Sequence, residues 1–274
     1  MFDGARVRQF VASLIAVLAG TAPLAAMMIW GTSHIPEGAV EARSLYRQAQ
    51  ELFSEGDTRT ARTTCQQAIQ LHGQSSDALI LMGTIKGRQG DLQGSIQDLQ
   101  RALQIHPNHV KAHQRLAFVQ QLLGNHQEAI VHYRQALRGS SNQADVHNGL
   151  GQALAAQELD KEAVQHLQEA VNLNPGLGDA HYYLGTVLQK LGRPEESLAH
   201  WQQAVELQPN WVAPLLALSE AYAANGQFQD AIQAGEQALQ LAKASGNHGL
   251  MQTIQHRLDR HRQGTVVEPT TPQL

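Results

Sequence analysis

The sequence predicts an all-α solenoid of stacked helix pairs, and three observations carry that prediction. Sliding the 274-residue chain against itself by 34 residues keeps one register, without an insertion, from Ala42 to Ser245. A period of that length belongs to repeated helix-turn-helix units. Within the register one column is alanine in every copy, Ala68, Ala102, Ala136, Ala170, Ala204 and Ala238, as expected where two helix backbones approach closely. A further column reads Gly56, Gly90, Gly124, Glu158, Gly192 and Gly226, which places a left-handed residue after the first helix of each copy. Glu158 alone departs, and a less tightly capped turn is expected there.

The copy from Gly178 to Trp211 shows the unit most clearly. Tyr182, Leu184, Gly185 and Leu188 fall at three- and four-residue spacings, which put apolar side chains on one helical face. Gly192, Pro194, Glu195 and Glu196 then end one helix and start another, with a proline where a new helix tolerates it and two acids at its positive end. Ser197, Leu198, Trp201, Ala204 and Val205 recur at helical spacing until Pro209, which cannot donate to the helix ladder. One such pair cannot hide its apolar face, so neighbours are required. Copies start at Ala42, Ser76, Val110, Ala144, Gly178 and Val212. The first helix carries a large residue followed by a small one: Gln48-Ala49, Met82-Gly83, Leu116-Ala117, Leu150-Gly151, Leu184-Gly185 and Leu218-Ser219.

These columns, with a bulky residue at Tyr133 or Trp201 and prolines at Pro107, Pro175 and Pro209, resemble the tetratricopeptide repeat family. The resemblance covers about three quarters of the chain and implies a right-handed superhelical solenoid of six repeats over residues 42–245. Departures gather at the ends, at Gln48, Gly73 and Gly235, where terminal repeats are atypical. The family's usual tryptophan early in the first helix is replaced by Leu45, Leu79, His113, His147, His181 and Leu215.

Outside the repeats, Arg6 and Arg8 precede an uncharged run of 21 residues from Phe10 to Trp30. As a helix the run is about 31 Å long, close to the hydrocarbon thickness of a bilayer. We read residues 1–30 as an uncleaved single-pass anchor, with a cleaved signal peptide and a helix packed on the repeats as competing readings. The segment Gly31–Glu41 has no Lys or Arg, so the positive-inside rule places the repeats on the extracytoplasmic, periplasmic side of the inner membrane, behind a short linker over residues 31–41. Leu250, Ile254 and Leu258 recur at four-residue spacing within 246–263 and predict a capping helix over the last repeat. The tail, residues 264–274, has two prolines and little apolar content, and is expected to be disordered.

The chain carries 16% charged residues and a net charge of −4, with no run of Lys or Arg, which argues against nucleic acid as a partner. Cys65, the single cysteine, reads as a buried small hydrophobe and excludes an intrachain disulfide. No glycine-rich phosphate loop, GxSxG or HExxH is present, so neither an enzyme nor a cofactor is expected. Fourteen histidines include two ladders at a spacing of 34, His113, His147, His181 and His132, His166, His200. Successive members of one ladder are separated by more than a helix–helix distance, about 8–10 Å, too far for ligands of one ion. No metal site is expected from either series, and a site joining the two ladders is the one variant that geometry leaves open.

In the family, ligand peptides lie along a concave wall built mainly from the first helices. Carried onto this chain, the groove comprises Arg43, Tyr46 and Gln50; Ile80, Thr84 and Arg88; Lys111, Gln114 and Phe118; Asn148 and Gln152; and Tyr182, Thr186, Gln189 and Lys190. The same columns hold Phe53, Asp77, Gln121, Asp145, Ala155, Asp179, Ala213, Leu216, Glu220 and Ala223. Phe53 and Phe118 are open to either a groove or a core role. Asp77, Asp145 and Asp179 lie where helices begin and read first as N-caps. The lysine–asparagine–arginine clamp of the chaperone-binding members is absent, as is the asparagine ladder of the sugar-transferase-linked members, with only Asn148 in place. The resemblance therefore implies a non-catalytic, membrane-anchored scaffold for a protein or peptide partner. Open alternatives are a soluble periplasmic adaptor, an accessory factor in cytochrome c maturation, pilus or secretion machinery or polysaccharide export, and, remotely, a histidine-rich metal- or haem-handling protein.

Overall fold

A computed structural model describes residues 38–264 of the chain, and every regular element among them is α-helix. The anchor and most of the linker and tail expected from the sequence lie outside the described residues. No helix among the described residues is long and apolar enough to cross a membrane. The chain divides into two compact units, Met1–Ala78 and Leu79–Leu274.

Two helices form the described part of the first unit, α1 (Ala39–Ser54) and α2 (Thr58–Leu71), which pack on each other. Asp57 caps α2 by accepting from the Thr60 N–H at 3.0 Å, an interaction that replaces one of the backbone acceptors a helix start lacks. Ala42, Ala49, Ala61, Cys65 and Ala68 are buried between the two helices. The Cys65 thiol is fully buried and donates to the Ala78 carbonyl at 3.2 Å.

The second unit begins within α3 (Ser76–Arg88) and continues through α4 (Leu92–Ile105), α5 (Val110–Leu122), α6 (His126–Gly139), α7 (Ala144–Ala156), α8 (Asp160–Leu173), α9 (Gly178–Lys190), α10 (Pro194–Leu207), α11 (Val212–Ala224), α12 (Phe228–Ala244) and α13 (His248–Arg262). From α5 onward, consecutive helices pack antiparallel through short turns, and α7 lies beside both α5 and α9. The first helices of successive pairs thus form one wall. A continuous core runs along the stack, with Ala117, Ile130 and Tyr133 joined to Leu150, Leu154 and Leu167, and these to Leu184 and Leu188. The alanine column from Ala102 to Ala238 is completely buried. At Gly185 an added Cβ would stand 2.8 Å from the Trp201 ring and 2.9 Å from the Ser197 carbonyl, so this crossing leaves no room for a side chain. The last helix, α13, lays Ile254 and Leu258 against Leu215, Ala238, Leu239 and Ala242.

The turns repeat one hydrogen-bond pattern. Asp91, Asn125, Leu159, Arg193 and Gln227 donate their backbone N–H to Lys86, Gln120, Leu154, Leu188 and Tyr222 at 2.8–3.0 Å, the six-to-one bond of a Schellman cap. Leu159 takes part like the others, so the turn after α7 is capped as tightly as its neighbours, contrary to the sequence expectation. Its cost appears as conformation instead. Glu158 sits at φ 58°, the only non-glycine with positive φ among the described residues, because stacking on both sides fixes the turn geometry whatever residue occupies it. A Cβ in that region is strained by about 1 kcal/mol. Glu158→Gly should therefore raise stability by about 0.5–1 kcal/mol, visible as an upward shift of the urea midpoint at unchanged slope; an unchanged or lower midpoint would show the turn to be unstrained.

Candidate binding groove

In the first unit Arg43 and Gln50 are exposed on α1, and Tyr46 is half-buried. Burial pushes the Tyr46 phenol up, with smaller contributions from Asp77 and Cys65. In the second unit, α3 presents Arg88 to solvent, holds Thr84 half-buried and turns Ile80 inward, where it is 7% exposed. Lys111 and Phe118 are exposed on α5, and Gln114 is half-buried. At 50% exposure, Phe118 lies outside the core. Gln189 and Lys190 are exposed at the end of α9, while Tyr182 and Thr186 are half-buried. The Thr84 and Thr186 hydroxyls donate back to the Ile80 and Tyr182 carbonyls of their own helices, so their protons are already used.

Along the wall of α5, α7 and α9 the polar side chains join into one directional chain. The Tyr133 hydroxyl donates to Gln121 Oε1 at 3.1 Å, and Gln121 Nε2 donates to Gln152 Oε1 at 3.1 Å. Gln152 Nε2 donates to Asn148 Oδ1 at 3.0 Å, and Asn148 Nδ2 to Asp179 Oδ2 at 2.8 Å. Every donor in the series faces the carboxylate that ends it. Burial raises the Tyr133 phenol, against the opposing pull of Arg115, which keeps it protonated as a donor. Asp179 therefore works across two helices. The cap position of α9 is Leu177 and that of α7 is Gln143, neither with a side-chain cap bond. Asp145 and Asp179 lie two residues past the cap positions, within the first turn, which corrects the capping expectation for both. Gln121 was present in the groove columns, but its role was not: a 31-residue separation between donor and acceptor is not a repeat period.

Beyond the polar chain, Tyr182 packs against Tyr183 and Trp211, with ring centroids 5.2 and 4.6 Å apart. The Trp201 indole donates to the Tyr182 carbonyl at 3.2 Å, fixing α9 against α10. Trp211 closes one side of a shallow recess of about 370 Å³ lined also by Gln208, Pro209 and Asn210.

The two histidine ladders meet rung by rung. His113, His147 and His181 on the first helices place Nδ1 3.0 Å from Nδ1 of His132, His166 and His200 on the second helices. The other nitrogen of each inner ring, Nε2, stands 2.9–3.1 Å from the carbonyl of Pro107, Ser141 or Pro175. A carbonyl only accepts, so each inner ring carries its proton on Nε2 and offers Nδ1 as acceptor. Each outer ring must then donate through Nδ1–H. Ring centroids 5.1–5.3 Å apart with interplanar angles of 29–40° give a nearly head-on bond. The junction of the two ladders is thus made by a shared proton, and no group of three or more metal-ligating side chains assembles among the described residues. Burial lowers the affinity of His132, His166 and His200 for a second proton, and the facing inner histidine lowers it further.

Removing the carboxylate at the end of the polar chain leaves the Asn148 amide, 6% exposed, without its acceptor. Asp179→Ala should cost about 1–3 kcal/mol. In a urea double-mutant cycle Asn148→Ala should cost less in the Asp179→Ala background than alone, and additive losses would disprove the coupling.

Tetratricopeptide repeat models match residues 74–142 and 177–244, and residues 120–183. Three solved structures share the fold. YrrB, described as a TPR protein with an unusual peptide-binding site, is 21% identical with TM-score 0.56, covering 70% of this chain and 97% of its own. PilF of Pseudomonas aeruginosa is 25% identical with TM-score 0.56, covering 69% and 93%. The Cut9–Hcn1 assembly of APC/C gives TM-score 0.70 at 17% identity, covering 80% of this chain and 42% of that one. No curated protein matches the chain significantly.

Proposed function

The chain belongs to the tetratricopeptide repeat family, and on that premise we propose that it is a non-catalytic scaffold of six repeats, which holds an extended segment of another protein along the wall of α5, α7 and α9. The observation that carries this reading is the hydrogen-bonded chain from Tyr133 to Asp179. It fixes amide side chains in place beside exposed Phe118 and half-buried Tyr182. Gln121 and Gln152 each spend one N–H on the chain and keep the other for a peptide carbonyl. Aromatic side chains add contact area at little cost in side-chain entropy. Pre-ordered donors next to an apolar platform suit a backbone-and-side-chain ligand better than an ion or a small metabolite. YrrB, a structural neighbour, is described as having a peptide-binding site, which supports the same class of ligand here.

The run Phe10–Trp30 and the arginines before it support a membrane anchor, with the repeats on the extracytoplasmic side of the inner membrane. Held there, the scaffold would raise the effective concentration of its partner near the bilayer, as a cell-envelope assembly requires. A photo-crosslinking amino acid at Phe118 and another at Tyr182, with exposed Gln168 of α8 as control, tests the reading in the native host. Capture of one common protein from both wall positions and none from the control is the expected result. Capture from the control alone would move the working surface to the second helices.

A further inference from the structure

We infer that the three histidine pairs form a proton-operated latch, which holds the wall of α5, α7 and α9 at neutral pH and releases it on acidification. The regulated surface is the wall proposed above; the proton chemistry of the pairs stands independently of that reading.

Each pair ties three segments together with two hydrogen bonds. The inner ring ties the start of a first helix to the loop before it, through Pro107, Ser141 or Pro175, and to the second helix through the outer ring. The inner histidines His113, His147 and His181 immediately precede Gln114, Asn148 and Tyr182 of the wall. A change at the latch therefore acts on the residue next to it.

Proton bookkeeping decides how the latch responds. The neutral pair has one hydrogen between the two Nδ1 atoms. A first added proton goes to the outward Nε2 of His132, His166 or His200, which leaves the Nδ1–H···Nδ1 bond intact and makes its donor cationic. Carboxylates favour this step: Glu128 beside His132, Glu162 and Glu169 beside His166, and Glu196 beside His200. Arg134 opposes it at His166, and Arg193 opposes it at His200. These arginines pair with Glu162 and Glu196 themselves, and Glu162 lies 3.9 Å from His166 Nε2. A second proton must go to the inner Nδ1. That would put two hydrogens and two cations into a 3.0 Å gap, so the second proton enters only when the pair parts.

The sign of the effect follows. An unfolded chain binds two protons per pair below the ordinary histidine pKa of about 6.5, whereas the closed pair binds at most one. Burial and the facing ring hold the outer histidines below that value. Stability contributed by the pairs is complete above about pH 6.5 and falls as pH decreases.

The chain itself supplies a replacement that closes the same register without polar atoms. One period after His181 and His200 stand Leu215 and Ala234, both buried. The test compares the parent with a variant carrying Leu at His113, His147 and His181 and Ala at His132, His166 and His200. The single-pair variant H147L/H166A serves if the full set does not fold. Melting temperature is measured from pH 8 to 4.5, with proton uptake on unfolding measured by calorimetry at pH 5. The parent should take up at least about three protons more than the full variant, one or more per pair, and its melting temperature should fall more steeply below about pH 6.5. Nitrogen NMR of the parent should show Nδ1-to-Nδ1 coupling at neutral pH that disappears in acid. Equal pH profiles for parent and variant, or coupling that persists through acid loosening, would overturn the latch. Crosslinking from Phe118 across the same pH range should fall in the parent and not in the variant. Absence of crosslinking at every pH would count against the groove alone, because the melting and NMR results involve no partner.

Discussion

The structure rests on the close approach of paired helices at positions that admit no larger side chain. Ala102, Ala136, Ala170, Ala204 and Ala238 are fully buried along the second helices, and Gly185 meets the Trp201 ring at a distance that excludes a Cβ. Close packing at one crossing orients the helix pair, and the pair's exposed apolar face then requires the next. Leu150 and Leu154 fill the space left by Ile130 and Tyr133, and Leu184 and Leu188 fill that left by Leu167. Stability in such a stack is carried by neighbour contacts and by no single centre. Strained or polar residues can therefore be held in place by copies on either side, and Glu158 at φ 58° is such a residue.

Helices, turns and the small-residue crossings were legible in the sequence because they recur at the period of the chain. The alanine column, the C′ glycines and the histidine ladders all appear when residue i is set against residue i+34. Contacts at any other spacing are invisible to that comparison. His147 and His166 are 19 residues apart and Asn148 and Asp179 are 31 apart, distances set by how an antiparallel pair folds back and how one pair stacks on the next. The two ladders could therefore be seen, but not their junction. Asp145 and Asp179 were misread as caps for a related reason: the helix start falls at Gln143 and Leu177, residues with no capping signature. Phe118 could not be assigned to core or groove from its column, because Ala117 beside it already fills the crossing.

The wall has a chemical logic that follows from its construction. First helices lie side by side, so a side chain on one reaches the next only if it is long enough to bridge the gap. Gln121, Gln152 and Asn148 do so with amides, which both donate and accept and can therefore pass hydrogen bonds along the stack. An apolar residue would end the series, and a lysine or glutamate would force its neighbours into complementary charge. The chain of amides ends on a carboxylate, so one donor direction is preferred over its whole length. Such a wall enters binding with its polar groups already ordered, which lowers the conformational cost of engaging a ligand.

The register shared by the outer histidines shows why their pairing calls for more than a packing explanation. At this register α4 carries Asp98, which is 5% exposed and paired with Lys86 at 2.6 Å; α12 carries Ala234, which packs against Trp201 and Leu218. In the second unit that register thus holds one aspartate, one alanine and three histidines. Buried polar pairs seldom stabilise a fold more than apolar side chains of similar volume, because desolvation offsets the attraction gained. Closing the stack does not require histidine, as α12 demonstrates. What imidazole adds over alanine or an aspartate–lysine pair is a bond that holds while one proton lies between the two rings and opens when acid adds a second to the gap. Three consecutive pairs place that property behind the stretch of wall that carries the amide chain, Phe118 and Tyr182, and the ends of the second unit, built from α3 and α11, close without it.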